Sequence, residues 1–262
     1  MRQQSPMIAH VAAIYRHPVK GFTPEQLPHA DLAKDQGFPC DRIYAVENGP
    51  SGFDPAAPGY VSKMKFTVLA AMPQVALAQT VYEEATATFR ASAPGHAPFA
   101  GQLSQAEGRA AFEVWLKALL GDEAHPDLKV LQAPGYQFMD HPLGHVSILN
   151  MASLRDLEAK IGQPLDPLRF RANIYVEGWP AWVENDWEGR DLMVGFARAK
   201  VYKPIVRCAA THVDPATAKR DIDVTKALFD NYGHMLLGIY VHITDPGRVS
   251  VGDAVTAPQD AK

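Results

Sequence analysis

Apolar and polar residues alternate over short stretches along much of the chain, which is the pattern of half-buried β-strands. Turn-forming glycine and proline residues separate these stretches, most densely in the segment 48–59. We predict strands at residues 8–15, 27–32, 42–46, 128–132, 145–149, 173–177, 192–196, 198–206, 236–244 and 248–255. Residues 66–89 are predicted to hold several more short strands, because strand and turn signals follow one another there without an intervening helical pattern.

Three other segments carry apolar residues at helical spacing. Residues 108–120 follow Ser104 and Glu107, which together fit a capping box. Residues 150–162 and 224–232 are the second and third predicted helices. The predicted buried positions are Ala111, Trp115, Ala118 and Leu119 in the first helix, and Leu154, Leu157 and Ile161 in the second.

The pattern as a whole predicts an α+β protein that is mostly β, with two or three helices. We place a boundary just before the first predicted helix. It separates an N-terminal β-rich subdomain, residues 1–105, from a C-terminal domain, residues 106–262. No segment with the composition of a linker marks this boundary, so we expect the two halves to pack tightly against each other.

Composition excludes several classes of protein. The chain has 262 residues, a net charge of −4 and no run of basic residues, so no nucleic-acid surface is expected. Its two cysteines, Cys40 and Cys208, are too few for a four-cysteine iron–sulfur or zinc site. No apolar run reaches the ~18 residues of a membrane span, and the N-terminus lacks the apolar core of a secretory signal. We expect a cytoplasmic protein in which a few local cations bind any anionic ligand.

Cys208 stands at the end of a predicted strand, directly after Arg207. A neighbouring positive charge favours the thiolate form of a cysteine, and a thiolate is a good ligand for a soft metal. A lone cysteine is more often a small core residue. Here, however, Thr211, Asp214 and Pro215 form a polar, turn-prone loop behind it, and such loops often carry functional residues. We therefore interpret Cys208 as a candidate functional residue.

Cations also stand near predicted strand ends. Lys20 follows the first strand and Arg42 begins the third. Arg169 and Arg171 alternate, so that both would face one way in an extended segment and share that face with Asn173. Arginine binds phosphate through paired hydrogen bonds, and an asparagine amide can bind the edge of a heterocycle. Each cation alone fits a solvated surface charge, but together they predict an anion-binding pocket near the thiol.

These residues resemble the motifs of the MOSC family, named after the C-terminal domain of molybdenum cofactor sulfurase. The most specific combination is Arg-Cys followed by Thr-x-Val-Asp-Pro, with Arg-Phe-Arg-x-Asn upstream. An opening Tyr-Arg-x-Pro-Val-Lys and a Gly-x-x-x-Asp-Arg step resemble the β-barrel-like domain that precedes MOSC in many members. The matching stretches are residues 11–21, 37–46, 169–177, 187–195, 207–215 and 232–253, so the resemblance runs nearly end to end.

The resemblance implies a β-barrel core that holds a pterin-based molybdenum cofactor. In the amidoxime-reducing branch of the family a cysteine binds the metal, and Cys208 matches that cysteine. Gly21 stands where a small hydroxyl residue is common in the family, which puts one phosphate contact in doubt, and Ala172 replaces a common proline, which loosens the turn. The candidate cofactor-binding residues are Lys20, Arg42, Lys63, Ser147, Arg169, Arg171, Asn173 and Arg207.

The function implied by this branch is that of a molybdenum-dependent oxidoreductase that reduces N-hydroxylated or N-oxide-type substrates. We expect a standalone module that receives electrons from a separate ferredoxin- or flavoprotein-type reductase. Two alternatives stay open: a carrier that delivers the cofactor to another enzyme, and a sulfur-transfer module with a persulfide on Cys208. His212, four residues further on, is either a proton donor or an exposed loop histidine.

Overall fold

Fifteen β-strands and three α-helices occur in residues 7–141 and 146–258, the part of the chain that the computed structural model describes. The strands are β1 (Ile8–Arg16), β2 (Glu25–Leu27), β3 (His29–Leu32), β4 (Ala45–Asn48), β5 (Gln79–Glu83), β6 (Thr88–Ser92), β7 (Phe99–Gly101), β8 (Leu128–Leu131), β9 (Val146–Asn150), β10 (Ile174–Glu177), β11 (Asp191–Val194), β12 (Ala197–Val206), β13 (Leu236–Asp245), β14 (Gly247–Ser250) and β15 (Ala254–Thr256). The helices are α1 (Ala106–Leu120), α2 (Met151–Ile161) and α3 (Val224–Tyr232). None of these helices is long and apolar enough to cross a membrane.

Seven of the strands form a closed barrel. Their order around it is β1, β10, β9, β13, β12, β11 and β15, and β15 pairs back onto β1. The first strand of the chain therefore closes a barrel whose other strands all come from its second half. Neighbouring strands are antiparallel except β9 and β10, which are parallel and joined through the crossover helix α2. The predicted fold, mostly β with a barrel core and a few helices, is confirmed.

Alternate residues of the barrel strands fill its interior, as the period of two along a strand requires. The side chains of Val11, Ile148, Ile174 and Ile239 are fully buried in this core. The residues between them point outward, and the candidate functional site lies on this outer surface.

The chain between β1 and β9 forms a second apolar core beside the barrel. The sheet β5–β6–β7, the ribbon β4–β8 and helix α1 surround it. Phe22, Phe89, Phe112 and Leu116 are fully buried there. The ring of Phe112, on α1, lies 5.1 Å from that of Phe89 on β6, so the helix and the sheet share one cluster of aromatic side chains.

Helix α1 differs in detail from its prediction. It begins at Ala106, and its N-cap is Gln105, which makes no side-chain capping bond. The capping box at Ser104 is therefore wrong, because the helix begins one residue too late for that hydroxyl to occupy the N-cap position. The predicted buried face is also rotated. The fully buried residues are Phe112, Leu116, Leu119 and Leu120, so of the predicted face Leu119 is correct and Trp115 is partly buried against the same core.

Three predicted strands are shorter or divided because the backbone bends locally. Segment 27–32 is interrupted at Pro28, which has no N–H for the ladder. The strand predicted at 42–46 begins only at Ala45, since Arg42 has a left-handed backbone with φ of +52°. The last predicted strand is divided into β14 and β15 by a turn at Gly252, where φ is +92°.

One irregularity in the barrel shapes the site. In the β12–β13 pair, Val201 lies opposite Val241 and Lys203 lies opposite Tyr240, so Tyr202 is an extra residue on β12. This is a β-bulge, which re-aims the side chains that follow it. Val201 is buried in the barrel core, whereas both Tyr202 and Lys203 are partly exposed on the outer face.

Candidate functional site

A cavity of about 230 Å³ lies on the outer face of the barrel. Its floor is a row of side chains in register on three neighbouring strands. Ser147 on β9 lies opposite Tyr240 on β13, which lies opposite Lys203 on β12. Arg42 and Lys63 line the cavity from the N-terminal half of the chain. The two halves therefore build the cavity together.

Cys208 lines this cavity just after β12 ends. The Nζ atom of Lys63 donates a hydrogen bond to its sulfur over 3.1 Å. The Cys208 carbonyl accepts hydrogen bonds from the backbone N–H and the hydroxyl of Thr211, at 3.0 and 2.9 Å, which fix the loop. Burial opposes the charge of Lys63, but Asp140 and Cys208 outweigh it and raise the pKa of Lys63. The ammonium that contacts the sulfur thus comes from a distant part of the sequence.

Arg207, the sequence neighbour of Cys208, lines the cavity close to Arg171, and we call the part of the wall that these two arginines line the inner end. Its Nε donates to the Leu237 carbonyl over 2.7 Å, and its Nη1 to the Phe170 carbonyl over 2.8 Å. Its Nη2 is buried and has no hydrogen-bond partner among the described residues. Burial lowers the pKa of Arg207 to about 10. The guanidinium keeps its positive charge at neutral pH and has an N–H group left for a ligand.

Gly238 makes room for this guanidinium. A Cβ atom at Gly238 would lie 3.0 Å from Nη2 of Arg207 and 2.5 Å from the Ile148 carbonyl oxygen. Its φ of +76° is also a conformation that other residues rarely adopt. A side chain at this position would therefore clash with the barrel wall and crowd the buried end of the cavity.

Arg171 lies beside Arg42 at the same end. Its Nη1 donates to the Phe22 carbonyl over 2.5 Å, and its Nη2 is buried with no partner in the described ranges. Burial and the neighbouring Arg42 lower the pKa of Arg171 to about 10. Arg42 in turn contacts the fully buried Asp41 and donates to the Arg171 carbonyl over 3.3 Å. Although burial opposes it, Asp41 raises the pKa of Arg42.

Arg169 has a different environment. Its two terminal nitrogens donate to the two carboxylate oxygens of Asp221 over 2.8 and 2.7 Å, and one also donates to the His212 carbonyl over 3.2 Å. The expected extended segment is wrong: Pro167–Phe170 is a 3₁₀ turn, capped by the Asp166 side chain. Arg169 lines the cavity, but its ion pair mainly holds the loop that follows Cys208.

Asn173 and Ser147 form a bonded pair behind the floor. The Ser147 hydroxyl and backbone N–H donate to Oδ1 of Asn173 over 2.8 and 3.1 Å. Nδ2 of Asn173 donates to the Tyr15 carbonyl over 3.3 Å. Ser147 lines the cavity, whereas Asn173 is fully buried in the wall and is not among its lining residues. Asn173 therefore joins β1, β9 and β10 and positions Ser147.

Lys20 also lies behind the cavity. Its Nζ donates to the Phe138 carbonyl over 2.8 Å and contacts the carboxylate of Asp140. Burial lowers the pKa of Lys20, although Asp140 opposes the effect. Asp140 itself lines the cavity, and it is the one carboxylate among the described residues that do so. Burial raises its pKa, but Lys20 and Arg42 outweigh this and keep the pKa well below the ordinary range.

Asp140, His141, Lys203 and Tyr240 line the cavity but were missed by the sequence analysis. A signal for Lys203 was present. The run Val201-Tyr202-Lys203-Pro204 breaks the apolar and polar alternation of β12, and proline is typical of a bulge or an edge. The other three carry no local signal, because their place depends on how the strands and loops pair.

His212 points away from the cavity. Its Nε2 lies 2.9 Å from the Thr225 hydroxyl and 3.1 Å from a carboxylate oxygen of Asp223, beside the start of α3. His212 thus helps to fix α3 to the loop after Cys208, and its ring is not near enough to the cavity to line it.

Two family models match the chain. Residues 8–128 match the MOSC N-terminal beta barrel domain, and residues 136–256 match the MOSC domain. Together they cover nearly all of the described residues.

Curated relatives are similar over parts of their length. Mitochondrial amidoxime reducing component 2 of Bos taurus is 30% identical over 156 residues, which are 55% of this chain and 45% of that protein. Molybdenum cofactor sulfurase of Homo sapiens is 32% identical over 94 residues, 34% of this chain and 10% of that protein. The chain thus spans less than half the length of these relatives. Among solved structures, the YUAD protein from Bacillus subtilis has a TM-score of 0.43 and 14% identity, covering 96% of each chain.

Proposed function

Because the chain belongs to the MOSC family, we propose that it binds a molybdenum cofactor in the cavity beside Cys208 and acts as an oxidoreductase on N-hydroxylated or N-oxide-type substrates. The names of the relatives support this proposal, because the relatives include amidoxime reducing components and a molybdenum cofactor sulfurase. The residues of the cavity support the ligand class independently.

The observation that carries the proposal is the pair of buried guanidinium nitrogens at the inner end of the cavity. Nη2 of Arg171 and Nη2 of Arg207 have no hydrogen-bond partner in the described part of the chain. An unsatisfied buried N–H costs about 1–3 kcal/mol, and more on a charged group. Such groups persist in a native structure when ordered water or a ligand satisfies them, and only an anion satisfies both the hydrogen bonds and the charge.

These residues fit an anionic pterin cofactor. Arg171 and Arg207 are suited to bind its phosphate and polar groups, and the Cys208 thiolate is suited to bind molybdenum as a soft ligand. Arg42, which pairs with Asp41, supports Arg171 by donating to its carbonyl. When bound, the cofactor supplies two-electron redox chemistry at the metal. Lys63 would stabilise the negative charge on the Cys208 sulfur, to which it already donates a hydrogen bond.

Lys20, Asn173 and Arg169 have supporting roles in this proposal. Asn173 orients Ser147, Arg169 fixes the loop after Cys208, and Lys20 holds Asp140. Removing an N-hydroxyl group as water consumes two electrons and two protons per substrate. We propose that a separate ferredoxin- or flavoprotein-type reductase supplies the electrons.

The first experiment is molybdenum and pterin analysis of protein purified from a host that makes the cofactor. We expect about one of each per chain. Benzamidoxime with reduced methyl viologen then tests turnover. Cys208→Ser should reduce that rate more than about 100-fold, because the soft thiolate ligand is lost. Cys40→Ser is the matched control, since Cys40 is the other free cysteine and does not line the cavity.

Three results would redirect the assignment. Bound cofactor without turnover by the wild type would indicate a carrier or insertion protein. Labile sulfur on Cys208 with neither molybdenum nor pterin would indicate sulfur transfer through a persulfide. Turnover by Cys208→Ser at the wild-type rate, with the cofactor bound, would remove Cys208 from the reaction.

A further inference from the structure

The bulge at Tyr202 brings a lysine into the cavity. In a regular strand, side chains alternate, so Lys203 would follow Val201 into the barrel core. Because Tyr202 is inserted, Lys203 instead lies opposite Tyr240 and lines the cavity. Pro204 comes next, and its missing N–H is compatible with the interrupted ladder. Bulges of this kind often occur beside functional sites, where they re-aim one side chain.

Aromatic side chains lie next to this lysine. His141 and Tyr240 both line the cavity, and their ring centroids are 6.3 Å apart. The ring of Tyr202 lies 5.1 Å from that of His141. Burial and the nearby Lys203 lower the pKa of His141, so its imidazole is neutral at pH 7. A planar ring that enters this part of the cavity can therefore pack against two uncharged aromatic side chains.

Lys203 differs in its contacts from Lys20, Arg42 and Lys63. Lys20 and Arg42 each contact a carboxylate, and Lys63 contacts the Cys208 sulfur. Within residues 7–141 and 146–258, no ion pair of Lys203 occurs, and its Nζ lies 5.3 Å from the centroid of the Tyr202 ring. A contact with a ring face leaves the N–H groups of an ammonium able to donate to an anion.

From these contacts we propose that Lys203, His141 and Tyr240 form a substrate subsite that takes a planar aromatic compound bearing a carboxylate. The ring packs on the two aromatic side chains, and the carboxylate accepts charge-assisted hydrogen bonds from Lys203. This inference rests on the proposed function, because the group to be reduced has to reach the part of the cavity lined by Cys208. The inner arginines would bind the cofactor, and the bulge would select the substrate.

The first test measures binding without turnover. The probes are 4-carbamoylbenzoate, a non-reducible aromatic carboxylate, and benzamide, its neutral counterpart, with affinities measured by calorimetry on the protein as purified. We expect Lys203→Met to weaken binding of 4-carbamoylbenzoate about tenfold, as the loss of one charge-assisted hydrogen bond predicts. Lys200→Met is the matched control, because Lys200 is an exposed lysine on the same strand that lies opposite His242 and does not line the cavity.

The second test compares amidoximes as substrates. The ratio of kcat/KM for 4-carboxybenzamidoxime to that for benzamidoxime should fall about tenfold in Lys203→Met and stay the same in Lys200→Met. The ratio for benzamidoxime to acetamidoxime should fall about threefold or more in Tyr240→Leu, because an aliphatic substrate has no ring to pack. Each ratio cancels a general loss of activity, so it reports on recognition alone.

The two proposals fail in different ways. Purified protein that contains neither molybdenum nor pterin would contradict the proposed function. The binding test would still show whether Lys203 binds the carboxylate. Equal affinity of the wild type and Lys203→Met for 4-carbamoylbenzoate, or an equal loss in Lys200→Met, would overturn the subsite. Unchanged substrate ratios in an enzyme that does reduce benzamidoxime would overturn it as well, while leaving the proposed function intact.

Discussion

Buried arginines occur in two regions of the site, and their partners differ. At the inner end of the cavity, Arg171 and Arg207 donate to backbone carbonyls and each keeps a buried N–H group without a partner among the described residues. In the loop region after Cys208, Arg169 also has a buried Nε without a partner among the described residues, but its two terminal nitrogens form a two-bond ion pair with Asp221. A carbonyl is neutral, so it orients a guanidinium and leaves its charge in place. A carboxylate orients it and cancels the charge.

The same contrast holds away from the cavity. Arg16 is only 3% exposed, and its Nε donates to the carboxylate of Glu25 over 2.7 Å. It also donates to the Tyr82 carbonyl over 2.7 Å and contacts Glu84. Arg16 thus binds the second core to the barrel strand β1 as a structural residue. The chemistry of the partner, more than burial, distinguishes an arginine that can bind a ligand from one that holds the fold.

The largest effect is expected at the inner end of the cavity. Arg207→Met removes a buried donor and its charge, and truncating one side of a buried charge pair typically costs about 2–5 kcal/mol. We therefore expect cofactor affinity to fall about 30-fold or more, with little molybdenum or pterin left after gel filtration. Arg155→Met is the control, since Arg155 is half-exposed and pairs with Glu177 on the surface. Full cofactor content in Arg207→Met would contradict the distinction between the two regions.

An intermediate effect, of a different kind, is expected in the loop region. Arg169→Met leaves Asp221 without its partner and frees the loop after Cys208, which we expect to cost about 1–3 kcal/mol of stability. For a protein of this size that corresponds to a fall in Tm of about 2–10 °C, measured by calorimetry. Cofactor content should fall less than in Arg207→Met. The reverse order, with stability unchanged and the cofactor lost, would mean that Arg169 binds the ligand directly.

The pH dependence of stability gives an independent check on Arg169. Hydrogen bonding to Arg169 lowers the pKa of Asp221 in the folded protein. A carboxyl group with a depressed folded-state pKa adds stability above its unfolded pKa of about 3.9, and this contribution is lost as the pH falls through the folded-state value. The difference in Tm between the wild type and Asp221→Asn should therefore be full at pH 6 and shrink below about pH 4. A difference that grows toward low pH would rule out the ion pair as its cause.

Much of the fold was predictable because the barrel strands carry a clear period of two. The predicted third helix has the bounds Val224–Tyr232 as observed, with Asp223 as a side-chain cap and Gly233 beyond its end. Prediction failed where one residue decides the outcome, as at the start of α1 or at Pro28, since competing caps and turns differ there by about 1 kcal/mol. The closure of the barrel by β1 could not be predicted from the sequence, because it depends on pairing between distant segments.

The candidate site, too, was predictable only in part. Cys208, Arg42, Arg171 and Arg207 were predictable as a thiol and cations near strand ends, and the cavity brings them together. Their partners were not predictable: the contact of Lys63 with Cys208 spans 145 residues of sequence, and no local pattern encodes it. These assignments as functional residues stay predictions until the variants are made.

The smallest effect is expected at Asp140. Its partner Lys20 has both kinds of hydrogen-bond acceptor, a carbonyl and a carboxylate. Lys20 donates to the neutral Phe138 carbonyl and also contacts the Asp140 carboxylate, which its neighbouring cations keep ionised. Asp140→Asn should uncover positive charge in the cavity and strengthen retention of an anionic ligand. At the effective dielectric of a partly exposed site such a change is about 1 kcal/mol or less, so we expect affinity to rise up to about fivefold.

The measurement for Asp140 is the KCl concentration at which pterin leaves the protein, because screening by salt weakens an electrostatic contact. Asp140→Asn should need more salt than the wild type. Asp127→Asn, an exposed carboxylate that does not line the cavity, should behave like the wild type. Weaker retention in Asp140→Asn would mean that the carboxylate accepts hydrogen bonds from the ligand. The rule that a carboxylate partner removes a cation from anion binding would then fail at Lys20, which contacts both a carbonyl and a carboxylate.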